Sequence, residues 1–104
     1  MSDVHRLIEL YATSVKFPDA SGFEALEMLR IRSRIAEQER VLDAADLQRL
    51  EDADDVLFQN AEAFHDAIAE VAGNAAELRR RYGVTPSHWW WYLEKLATHQ
   101  RAAA

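Results

Sequence analysis

Residues 88 to 96 read HWWWYLEKL and hold all three tryptophans of a 104-residue chain. Tryptophan and tyrosine join a large apolar ring to a polar handle, so such a cluster serves as core or as binding surface. Other chemistry is sparse. Glu62 and His65 form an E-x-x-H, the spacing that sets two metal ligands on one helical face in di-iron bundles, and a symmetric assembly would add carboxylates such as Glu24 or Glu27. The motif occurs once, and His65 reads equally as a helix-face residue packed beside Phe58. No serine lies in a nucleophile elbow, and no phosphate loop or dinucleotide fingerprint is present. The chain therefore reads as non-catalytic, with no cofactor expected and the pair Glu62 and His65 as a metal-binding alternative.

Composition sets the frame. The length suits one domain, and three Gly and two Pro leave few breaks in regular structure. Without cysteine there is no disulfide, thiolate nucleophile or Cys-ligated zinc. The start MSDVHRLIEL has neither a basic leader nor an apolar signal core, which predicts a soluble, unexported, cytoplasmic protein with no membrane partner. The net charge of −6 is unevenly spread. Residues 43 to 70 hold nine acids against Arg49 alone, whereas from Gly73 onward five bases face Glu77 and Glu94. These ends can attract each other within a chain or between chains.

The elements that carry these residues read as helices. Val4, Leu7, Ile8, Tyr11, Ala12 and Val15 share one face of a helix over about 3–16, which Pro18 ends. Ser21 and Glu24 form a capping box that opens a second helix, about 22–41. Within it LRIRSRI alternates like a strand, but its flanks favour a helix, and Arg30, Arg32 and Arg34 fall outside the apolar stripes as solvated residues or partners of the acidic helix. From Leu47, the positions Leu50, Asp54, Leu57, Ala61, Phe64, Ile68 and Val71 make a heptad seam. It predicts one helix over 43–72, about 45 Å long, paired with the second helix as a long antiparallel hairpin, and it suggests coiled-coil contact in a homodimer. Asp54 interrupts the seam, and the cost of a buried unpaired carboxylate favours a solvated position over pairing with an arginine. A short helix over 75–82 follows Gly73-Asn74. Thr85 and Pro86 then cap a last helix over 86–99, with Val84 stapled against Trp89.

The corner AAELRRRYGVTPSHWWWYLEKL, residues 75–96, resembles a helix-turn-helix. Leu78, Tyr82, Gly83, Val84, Trp89 and Tyr92 fall where that motif places its packed residues and turn glycine. The resemblance implies a DNA-binding regulator as the alternative function. Arg79, however, stands where the motif usually has a small residue. The second helix also offers Thr85, Ser87, His88, Trp90, Trp91 and Glu94 in place of the Arg, Lys, Asn and Gln that read bases, which argues against nucleic acid.

On a helix at 100° per residue, Trp89 and Trp90 fall on the apolar arc with Tyr92, Leu93 and Leu96, while Trp91 falls among Glu94, Lys95 and Thr98. Trp91 is then covered by its own chain, a second subunit or a partner. The reading that follows is an all-α bundle acting as a protein-interaction or adaptor module that self-associates. Its working surface is Tyr82, Trp90, Trp91 and Tyr92, rimmed by Arg79, Arg80 and Arg81.

Overall fold

The structure is a computed structural model and describes residues 3–96. Five α-helices and two 3-10 turns carry it: α1 Asp3–Ser14, α2 Gly22–Ala36, a 3-10 turn at Glu39–Val41, α3 Ala44–Gln59, α4 Ala61–Ala72, α5 Ala75–Arg81, and a 3-10 turn at Trp89–Trp91. Among the described residues no strand forms, so LRIRSRI is helical as expected. No helix there is long and apolar enough to cross a membrane.

Local chemistry sets most of the boundaries. Ser21 and Glu24 close the capping box, each side chain accepting the other residue's backbone N–H. Asp43 caps α3 by accepting from Asp46, and Asn74 caps α5 by accepting from Ala76 and Glu77. The second helix stops at Ala36 rather than 41, and the first stops at Ser14.

The single helix expected over 43–72 does not form. It divides at Asn60, whose φ of −102° and ψ of 12° leave the helical region. The Asn60 amide reaches across instead and donates to the Val15 carbonyl at 2.9 Å, satisfying an acceptor just past the end of α1. This break replaces the expected hairpin of two long helices. α3 packs on α1, while α4 packs on α2. The seam survives the division, and the chain consumes its middle: Leu50, Leu57, Ala61, Phe64 and Ile68 are buried against their own neighbours, while the end positions Leu47 and Val71 stay exposed. None of these five is left to face a second subunit, which removes the sequence argument for a coiled-coil contact.

The approach of α2 to α4 depends on Gly22. A Cβ there would overlap the Ala67 carbonyl oxygen and come within 2.6 Å of Val71 Cγ2. Glycine is required for contact rather than for backbone freedom. Gly83 is the converse case, since its φ of 62° turns the chain out of α5 toward the tryptophans.

The last expected helix, 86–99, is also different. Residues 86–88 form a turn, 89–91 the 3-10 turn, and 93–96 are helical. Positions 97–99 lie outside the described residues. Pro86 therefore opens no helix, and the continuous second helix that a helix-turn-helix needs is missing over 86–92.

Candidate functional site

Two neighbouring residues of α2 organise the aromatic end. Arg32 is 4% exposed, the one charged residue buried among those described. Its Nε and Nη2 donate to the two carboxylate oxygens of Asp54 at 2.9 and 3.0 Å, and the Tyr11 hydroxyl donates to Asp54 Oδ1 at 2.7 Å. The expectation that Asp54 sits in solvent is overturned. An acid in an apolar seam becomes tolerable because a bidentate guanidinium and a phenol satisfy it. Arg32 Nη1 has no hydrogen-bond partner. The guanidinium instead lies over the Trp90 ring, 4.2 Å from its centroid, with the Trp89 and Tyr11 rings also within 6 Å. Burial and the facing Asp54 carboxylate push the Tyr11 phenol far above its ordinary range, so it remains a donor.

Ser33, the next residue, holds the tryptophans. Its Oγ lies 3.0 Å from Trp90 Nε1, 2.8 Å from Trp91 Nε1 and 3.1 Å from His88 Nδ1. An indole N–H only donates, so the two indoles occupy both lone pairs of the hydroxyl oxygen. The hydroxyl proton must then go to His88 Nδ1, which places the imidazole proton on Nε2. The His88 ring stacks on Trp90 at 4.6 Å. A serine beside a histidine invites comparison with a nucleophile and its base. Here, however, the oxygen has no lone pair left to attack a carbonyl, so the pair is a structural lock.

The lock keeps Trp90 in the core as expected but exchanges the places of Trp89 and Trp91. Trp90 and Trp91 are 2% and 5% exposed, and Trp89 is half-buried. Trp91 is covered by its own chain, with Tyr82 5.5 Å away between ring centroids. The helical projection assumed 100° steps, whereas the 3-10 turn brings two consecutive indoles onto one serine.

Arg79, expected at the rim, is a clamp. Its Nη1 donates to the Trp91 carbonyl at 3.1 Å and to Glu94 Oε1 at 2.8 Å, and its guanidinium lies 4.2 Å from the Tyr92 ring centroid. Arg80, Arg81 and Tyr82 are exposed, and Tyr92 is half-buried. The bulky residue that departs from the helix-turn-helix pattern thus ties α5 to the tryptophan segment.

Between α2 and residues 82–91 lies a cleft of about 280 Å³, walled by Tyr82, Trp91 and His88 and edged by Arg30, Arg34 and Glu37. Arg30 lies 5.4 Å from the Tyr82 ring centroid and 3.5 Å from Glu27, with both charged side chains more than half exposed. Arg34 is exposed and has no acidic partner among the described residues. On the other side of the segment, Trp89 and Tyr92 face a hollow with Pro86, Lys95 and Leu96.

The metal candidates are not assembled. Glu62 is exposed, and His65 is half-buried with Nδ1 3.4 Å from its neighbour Asp66. No group of three or more metal-ligating side chains exists among the described residues. Of the residues assembled at the aromatic end, Tyr82 and Trp91 belong to the surface expected from sequence, but Ser33, His88 and the pair Arg32 and Asp54 were not singled out as a site. The one available signal was Asp54 itself, an acid in an apolar seam that demands a cation.

Comparison with known proteins finds no match: no family model, curated protein or solved structure is significantly similar to the chain.

Proposed function

We propose that the protein is a non-catalytic interaction module that holds a partner polypeptide at its aromatic end, in the reducing environment of the cytoplasm. The observation that carries this reading is the Ser33 lock. It fixes two indoles beneath a surface where Tyr82 is 41% exposed and Arg30, Arg34, Arg80 and Arg81 reach solvent. A rigid aromatic wall loses little entropy on binding, and aromatic anchors rimmed by arginine suit protein interfaces. Trp90 and Trp91 support this surface from below, and the contact groups are Tyr82, Trp89 and Tyr92. Peptides selected by display against the whole protein should lose about tenfold or more in affinity with Tyr82→Ala, at unchanged melting temperature. If they tolerate Tyr82→Ala and Trp89→Ala but are lost with Phe23→Ala, the aromatic end is not the binding face.

Self-association is the second part of the proposal, and a different observation favours it. With the middle of the heptad seam used internally, the large apolar groups left in water include Phe17, in the α1–α2 connection, and Phe23, at the start of α2, 55% and 69% exposed. Sedimentation equilibrium should give a mass above the monomer that falls when both become serine. A monomer mass at every concentration rejects this part.

A further inference from the structure

Resting on the reading of the aromatic end as a binding face, the geometry points to the group that the cleft between α2 and residues 82–91 accepts: a single carboxylate of the partner polypeptide, carried next to an apolar body. The count of donors and acceptors leads there. The guanidinia of Arg30 and Arg34 edge the cleft, and His88, whose Nδ1 is taken by Ser33, has Nε2–H left to donate. On the acceptor side, Ser33 Oγ is filled by the two indoles, and Glu37 is the one carboxylate of the lining. Donors therefore exceed acceptors, and a ligand rich in lone pairs completes the site.

Charge narrows the class. Within the lining two guanidinia face Glu37, a formal +1, and Glu27 beside Arg30 lowers it further, so the site accommodates one carboxylate and a dianionic phosphate would overshoot. The Arg30 contact to Glu27, long and exposed, opens at little cost. Size narrows it further. About 280 Å³ lies below the roughly 300–1,000 Å³ of small-molecule sites, which suits one inserted side chain or chain end. The tilted rings of Tyr82 and Trp91 provide the wall for its apolar part.

The test uses 3-phenylpropionate, its neutral isostere 3-phenylpropanamide and phenyl phosphate as probes, with the whole protein observed by ¹⁵N–¹H NMR. The Trp91 indole N–H reports from the wall of the cleft. It should shift saturably with 3-phenylpropionate, whereas the amide should need about tenfold more and Arg34→Gln should weaken the acid about tenfold. Equal binding of acid and amide, tighter binding of phenyl phosphate, or indifference to Arg34→Gln overturns the inference. Display-selected peptides separate this failure from failure of the underlying reading. Peptides that need Tyr82 but neither Arg34 nor an acidic group leave the interaction face standing and remove the carboxylate, whereas peptides that ignore Tyr82 and Trp89 remove the face itself.

Discussion

Asp54→Ala is the substitution whose consequence follows most directly from the fold. It removes three hydrogen bonds at once, two from Arg32 and one from Tyr11, and leaves a guanidinium that is 5% exposed without its counter-charge. Deleting one partner of a buried pair costs about 3–5 kcal/mol, because the survivor stays buried and unpaired. Asp54 is 18% exposed as a side chain, so water can enter on its side, which puts the loss near the lower end, about 3 kcal/mol. Against a total stability of about 5–15 kcal/mol that is a large fraction. Replacing both partners should behave differently. In a Tyr11→Phe background, which removes the phenol that would otherwise lose its acceptor, Arg32→Met with Asp54→Leu lays an apolar side chain on the Trp90 face where the guanidinium lay, and the change should stay within about 1 kcal/mol. Urea unfolding followed by circular dichroism gives all four corners of the cycle, and the coupling should exceed about 2 kcal/mol. Single substitutions that each cost under about 1 kcal/mol and add without coupling would refute the reasoning.

Two further outcomes follow from the same structure. Gly22→Ala lowers the backbone entropy of the unfolded chain but drives a methyl into the backbone of α4, which cannot yield as a flexible side chain would. Its melting temperature should fall, and an unchanged or raised value would mean that α2 and α4 do not approach as described. His5 has its pKa raised above 6.5, chiefly by the hydrogen bond to Asp46 at 3.0 Å. A raised folded-state value contributes stability that is present below 6.5 and lost as pH rises through the folded value, so wild type should exceed His5→Gln on the acid side and converge with it above that window. Urea midpoints measured across that range check the sign, and an advantage that grows with pH contradicts it.

What could be read from sequence was local, and what could not was long-range. The buried face of α1 and the box at Ser21 and Glu24 depend on residues within one or two turns of each other. The break at Asn60 depends on a carbonyl 45 positions away, and the heptad pattern runs through it undisturbed. Arg32 sits off the apolar stripes and read as either solvated or paired with the acidic helix; the second alternative holds, with the acid in the seam as its partner. Ser33 gave no signal at all, since a serine within a helix has no characteristic spacing and its role appears only when residues 88–91 fold onto it. Trp89 and Trp91, though not Trp90, were misassigned for a related reason. Their projection took a straight α-helix for granted, and tertiary hydrogen bonds selected a 3-10 turn instead.

The central claim is that one serine oxygen fixes two consecutive indoles and thereby shapes the binding face. Hydrogen exchange of the three indole N–H protons, assigned by single Trp→Phe substitutions, tests it most directly. Trp90 and Trp91 should exchange slowly, Trp89 fast, and Ser33→Ala should speed both slow protons together. Three indoles that exchange at one fast rate, or a Ser33→Ala protein that leaves Trp90 and Trp91 protected, would contradict the account.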